Sequence, residues 1–236
     1  MMNSTKENTV VRSRRAIYIS FALILLYWAV LTAQQLLLRP IPSSIPELLL
    51  RKSLEAGITF FAVWLLLRKS NQTLTDLGFR LDGFRGILIY GVLLPVGLFL
   101  ITNVVLNSFL SALTNAGTAS AVRALFRDPR EAPYWILTAI IGGGFAEELQ
   151  RAFVLTRFEQ LFGRRGLAVA VVVDSVVFGL RHLYQGGTGA ISAGFTGLIF
   201  ALIFLRRRQV VDAMVTHAGY DLLGIVVAYA LYGSRV

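Results

Sequence analysis

The chain contains no cysteine. Disulfides, thiolate metal sites and a cysteine nucleophile are excluded together, and the redox compartment leaves no trace. Lysine is scarce: Lys6, Lys52 and Lys69 are the whole set, all in tails or at the ends of apolar runs. Histidine occurs twice, as His182 and His217. Charge in general is thin, with 15% charged against 56% hydrophobic residues over a length of 236. Mean hydropathy is +0.66. Soluble domains run nearer to about half apolar and about a quarter charged, so the balance points to one polytopic membrane domain. No secretory leader is read at the start, because the first apolar run is too long for one and lacks a small-residue cleavage site.

What charge there is has one dominant sign. The net charge of +10 does not imply nucleic acid, because the basic residues gather at the ends of apolar runs, where lysine and arginine orient membrane helices. A basic tail covers 1–15, with Lys6, Arg12, Arg14 and Arg15. N-terminal membrane helices and loops fill 16–132. Spans are expected at 16–38, stopped by Arg39-Pro40-Ile41-Pro42, at 45–67 and at 86–109. The first half of the second span carries Glu47, Arg51, Lys52 and Glu55, which suits the membrane interface. The loop that follows the third span is expected to hold a short amphipathic helix around Ala121–Phe126. A third region, 133–232, holds four more spans, at 133–162, 166–184, 188–205 and 209–232. The expected fold is an all-α bundle of about seven membrane helices. Basic residues at 68–85, 157–165 and 206–208 place the N-terminus on the cytoplasmic side and the C-terminus outside. A bacterial inner membrane is the expected location.

Three polar clusters interrupt the third region. Glu147-Glu148-Leu149-Gln150-Arg151 follows Gly142-Gly143-Gly144, a run suited to a helix break or a close backbone approach. One of the two acids is expected to be held by Arg151, the other to face a polar cavity as a general base. Phe178 and His182 share a helix face four residues apart, as do His217 and Asp221. Each cluster alone also reads blandly, as a cap, a packing histidine or a polar pair that sets helix register. Together they form a set able to activate water. A carboxylate can serve as base and imidazoles can stabilise an oxyanion; Glu147, His182 and His217 are also a donor set that zinc accepts. Ionisable groups inside a membrane are costly, which favours a functional site.

Other membrane chemistries fit less well. No His-Glu-x-x-His spacing occurs. The lysines are badly placed for a Ser–Lys dyad, Ser192 lacks a Gly-x-Ser-Gly setting, and Asp174 sits in Val-Val-Asp-Ser rather than Gly-x-Gly-Asp. A proton- or ion-coupled transporter stays open, although no internal repeat is visible. A catalytically silent scaffold stays open too.

The three clusters resemble the CPBP intramembrane proteases, which include the type II prenyl-protein (CAAX) endopeptidases and the Abi-type immunity proteins. The pattern there is Glu-Glu-x-x-x-Arg, then Phe-x-x-x-His, then His-x-x-x-Asn/Asp. The second and third fit at Phe178/His182 and His217/Asp221. The first fits at Glu147 and Glu148, but Ala152 stands at the arginine position and Arg151 comes one residue early. That turn of about 100° is expected to pair Arg151 with Glu147 rather than Glu148. The resemblance implies peptide-bond hydrolysis within the bilayer. Glu147 would be the base, His182 and His217 would bind water or the developing charge, and Asp221 would orient His217 or hold water. It implies a peptide or lipidated protein as substrate. The physiological substrate and the oligomeric state are not legible. Glu147, His182 and His217 are expected to converge within about one water-bridged contact.

Overall fold

Residues 2–38, 44–80, 83–114, 126 and 128–233 are described by the computed structural model. Every long element among them is a helix, and no strand occurs among the described residues. Helix α1 is Met2–Leu38, so the helix runs back through the basic tail. Helix α2 is Ile45–Lys69. It starts where the Ser44 side chain accepts a hydrogen bond from the Glu47 amide, with Pro46 in the first turn where no amide donor is needed. Helix α3 covers 83–114, with two wide π turns at Ile89–Leu93 and Leu100–Leu106. The expected stop at 39–42 lies outside the described residues, and so does the expected amphipathic helix apart from Phe126, which stacks on Trp135.

Helix α4 covers 132–162 and helix α5 covers 164–181. Gly163 separates them, with φ 64° and ψ −159°, a conformation that a side chain would strain. Helices α6, Gly186–Arg207, and α7, Val210–Tyr232, complete the bundle. Gly78 accepts a hydrogen bond from the Val210 amide, and Arg208 pairs with Glu159 at 2.7 Å. The α2–α3 loop, the end of α4 and the α6–α7 turn therefore lie at one end of the bundle. The basic runs grouped in the sequence share that end.

The buried core includes Val63 and Leu67 of α2, Leu149, Phe153 and Leu155 of α4, Phe200 and Phe204 of α6, and Ala213 of α7. The outer faces carry exposed large apolar residues, among them Leu26, Phe61, Val104, Val172 and Val226. In water such a surface would aggregate; in lipid it is solvated. Four stretches are long and apolar enough to cross a membrane: Arg15–Gln34, Arg85–Leu113, Leu183–Arg207 and Val210–Tyr232. The protein is an integral membrane protein. Helices α2, α4 and α5 fall short of that measure, and they are the ones that carry the charges described next.

Candidate active site

Helices α4 and α5 form a hairpin about Gly163, and that bend sets which residues are level. At about 1.5 Å per residue, Glu147 lies about 24 Å up α4 from the bend and His182 about 28 Å along α5. The two are level to within about 4 Å without any break, although one sits mid-helix and the other at a helix end. The Gly142–Gly144 run is not a break. It belongs to a wide π stretch, Ala139–Glu147, which runs directly into the α-helix at Glu148. Such stretches often occur at functional sites.

The two adjacent glutamates face different neighbours. Glu148 is 1% exposed. Its Oε1 accepts hydrogen bonds from Arg151 and from His217 Nδ1, the latter at 2.7 Å. Its Oε2 is buried with no hydrogen-bond partner among the described residues. Arg151 also donates from Nε to Asp174 Oδ2 on α5 at 2.6 Å. The expected pairing of Arg151 with Glu147 is thus overturned. Both spacings are open to an arginine on a helix; Asp174 opposite draws the guanidinium to the Glu148 side.

Glu147 faces α2 instead. Its Oε1 accepts from Lys52 Nζ at 3.3 Å, with Arg181 Nη2 at 3.7 Å from the same oxygen. Glu55 closes the group, pairing with Lys52 at 3.1 Å and with Arg181 at 3.2 Å. The first half of α2 is therefore part of the cluster, and Lys52 and Glu55 are not merely interfacial. Two acids and two bases balance, which matters where the surroundings solvate charge poorly.

Each imidazole is fixed through Nδ1. His182 Nδ1 lies 2.8 Å from the Phe178 carbonyl, an acceptor, so Nδ1 carries the hydrogen and the neutral ring keeps its lone pair on Nε2. His217 Nδ1 likewise donates to Glu148, while its Nε2 lies 3.6 Å from Asp221 Oδ2. Phe200 stacks on His217 at 4.4 Å between centroids. Phe178 touches His182 at 4.6 Å, His217 at 5.7 Å and the Arg151 guanidinium at 4.7 Å. Phe178 and His182 share a face as expected, and the ring ties both histidines to the Glu148–Arg151–Asp174 group.

Helices α4 and α7 come close at Gly143. A Cβ there would sit 2.5 Å from Asp221 Oδ2 and 3.1 Å from His217 Nε2. The missing side chain lets the two groups of the third cluster pack against the α4 backbone. Asp221 is partly open, its side chain 32% exposed. Glu147 is within electrostatic reach of both His182 and His217.

Among the described residues no group of three or more His, Cys, Asp or Glu side chains is arranged to hold a metal ion. The expected zinc set of Glu147, His182 and His217 is not gathered as a ligand group; the Nδ1 hydrogen bonds of the two histidines do not bear on this, since they leave each Nε2 free. Sequence reasoning passed over Lys52, Glu55, Asp174 and Phe200 as site residues. Asp174 could have been found, since it is the one acid in the fifth span and had no assigned partner.

No curated protein and no solved structure matches the chain. Residues 129–223 match the family model described as Rce1-like, type II CAAX prenyl endopeptidase. That segment runs from the start of α4 into α7 and contains all three motifs, and over it the chain is similar to this family.

Proposed function

We propose that the protein hydrolyses a peptide bond in a membrane-associated peptide or lipidated protein, with Glu147 activating water. One observation carries the reading: Oε1 of Glu147 is held by two cations while Oε2 accepts no hydrogen bond among the described residues, in the cluster that also contains both histidines. Oε2 takes a proton from water as the water oxygen bonds to the scissile carbonyl carbon. The lone pair on His182 Nε2 accepts the other water hydrogen and fixes the direction of attack. When His217 carries its second proton, Nε2–H, on the ring edge near Gly143, donates to the oxyanion. The tetrahedral centre then collapses, the C–N bond breaks, and Glu147 returns its proton to the leaving amine. Glu148 and Arg151 hold the His217 ring in the required orientation, and no step passes through a metal. An ionised Asp221 cannot donate to the oxyanion and serves to orient His217 and water.

The family description makes a prenylated C-terminal peptide the first substrate to try. The purified protein in bilayers should cut such a peptide, with the products read by mass spectrometry. His182→Ala should slow cutting by about 10²-fold. A folded protein that cuts neither prenylated nor plain peptides, yet carries protons across vesicles, would replace this reading with a transporter.

Two further results are expected. Chelation should leave the rate within about twofold; a loss that zinc restores would overturn the metal-free scheme. Gly143→Ala should cost about tenfold or more in kcat, because the added methyl would meet Asp221 and His217 and force them to shift. A wild-type rate in that variant would show that the placement of Asp221 and His217 against α4 does not matter to the chemistry.

A further inference from the structure

The matched family segment begins at residue 129, yet two of the four charged groups around Glu147 and Glu55 involve α2, far upstream. Lys52 is separated from Glu147 by 95 positions. Its aliphatic stem lies over Gly142, where an added Cβ would come within 3.0 Å of Lys52 Cδ. The ammonium is thereby carried across the α4 backbone to the carboxylate. Arg181 reaches the same oxygen from the end of α5, next in sequence to His182. Glu55 contacts the two cations through different oxygens, Oε2 toward Lys52 and Oε1 toward Arg181.

A glutamate at a helix surface has rotamers to spare. A base must present one lone pair to water within a narrow geometry. Both cations act on Oε1, so the carboxylate plane is set and Oε2 is the oxygen left for water. We propose that Lys52, with Glu55 as its anchor, is a positioning residue for the reaction: α2 completes the active site by orienting the carboxylate of Glu147. The inference rests on Glu147 being the base.

The test uses the full chain reconstituted in bilayers and a peptide that the wild type cuts. Lys52→Met is expected to lower kcat by about 10²-fold with KM changed less than about threefold, as a base held about an ångström out of place would. Lys52→Arg should recover kcat to within about tenfold, since a guanidinium can reach the same oxygen. A purely structural lysine would not give that split or that rescue. If removing one charge from the balanced group impairs folding, Lys52→Met with Glu55→Gln restores the balance. That double variant should fold and remain slow in kcat. A wild-type kcat in either the single or the double variant overturns the proposal, as does a loss confined to KM. If Glu147→Gln itself stays active, the assignment of the base has failed; if Glu147→Gln is inactive and Lys52→Met is not, only the role of α2 has failed.

Discussion

Glu147→Gln is expected to reduce peptide cleavage by about 10³-fold or more while leaving the fold and substrate binding intact. The size follows from what the substitution removes. General acid–base catalysis contributes about 10² to 10⁴ in rate. In the proposed scheme one oxygen both takes the proton from water and returns it to the amine. The shape is preserved, since glutamine keeps a carbonyl oxygen able to accept from Lys52 at the position of Oε1. What changes is the other arm, where an amide nitrogen with two hydrogens replaces the lone pair proposed to act on water. The expected signature is a lost kcat with a near-normal KM, read from initial rates of a fluorogenic peptide. The partner acid should behave differently. Glu148 is 1% exposed and spends Oε1 on Arg151 and His217. Glu148→Gln should therefore lower stability as well as rate. If Glu147→Gln cuts at the wild-type rate, the scheme built on that carboxylate falls. Should Glu148→Gln alone remove all activity without any loss of stability, the two acids have been assigned the wrong way round.

The helices were legible because long apolar runs bounded by arginine, proline and glycine state their own limits. Gly163 falls at the expected boundary between the fourth and fifth spans, and α6 and α7 begin and end within about two residues of expectation, the ordinary uncertainty of helix ends. The candidate residues stood out for a different reason. A histidine or an acid stands out in an apolar run, and Glu147, Glu148, His182, His217 and Asp221 all gather where α4, α5 and α7 meet. What could not be read was which partner each would take. Local spacing allows Arg151 to reach either glutamate; the choice is made by Asp174 on another helix and by Lys52 claiming Glu147 from α2. A contact between residues 52 and 147 leaves no mark on either local pattern. The π stretch before Glu148 is likewise a tertiary outcome. A triple glycine signals only that a backbone can come close, and here Gly144 faces the Ala218 region of α7 while Gly143 faces His217 and Asp221. The charges that build the site also conceal its helices: α2, α4 and α5 carry them and lose the plain apolar signature of a span.

Arg151→Met should be the most destabilising single change in the bundle, at about 3–5 kcal/mol. Arg151 is 2% exposed and bridges two buried carboxylates, Glu148 at 1% and Asp174 at 2%. Methionine fills much of the same space but leaves two acids facing each other without a cation. Removing one partner of a buried charged group costs far more than replacing the whole group by apolar residues. Thermal unfolding in detergent micelles should show the loss as a lowered midpoint. Arg151→Met combined with Asp174→Asn should recover part of it, since only one unpaired charge then remains. Activity should fall with stability, because the guanidinium packs against Phe178, and that ring also touches both histidines. The position of the arginine offers a sharper test. Moving it one place forward, Arg151→Ala with Ala152→Arg, gives the spacing of the proteases that the motifs resemble but should not restore either property. Ala152 is 1% exposed and lies in the apolar core with Leu149 and Phe153, so an arginine there would be driven among aliphatic side chains, with Asp174 and Glu148 on a different side of the helix. If the shifted variant were as stable and as active as the wild type, the Glu148–Arg151–Asp174 bridge could not be what holds His217 in place.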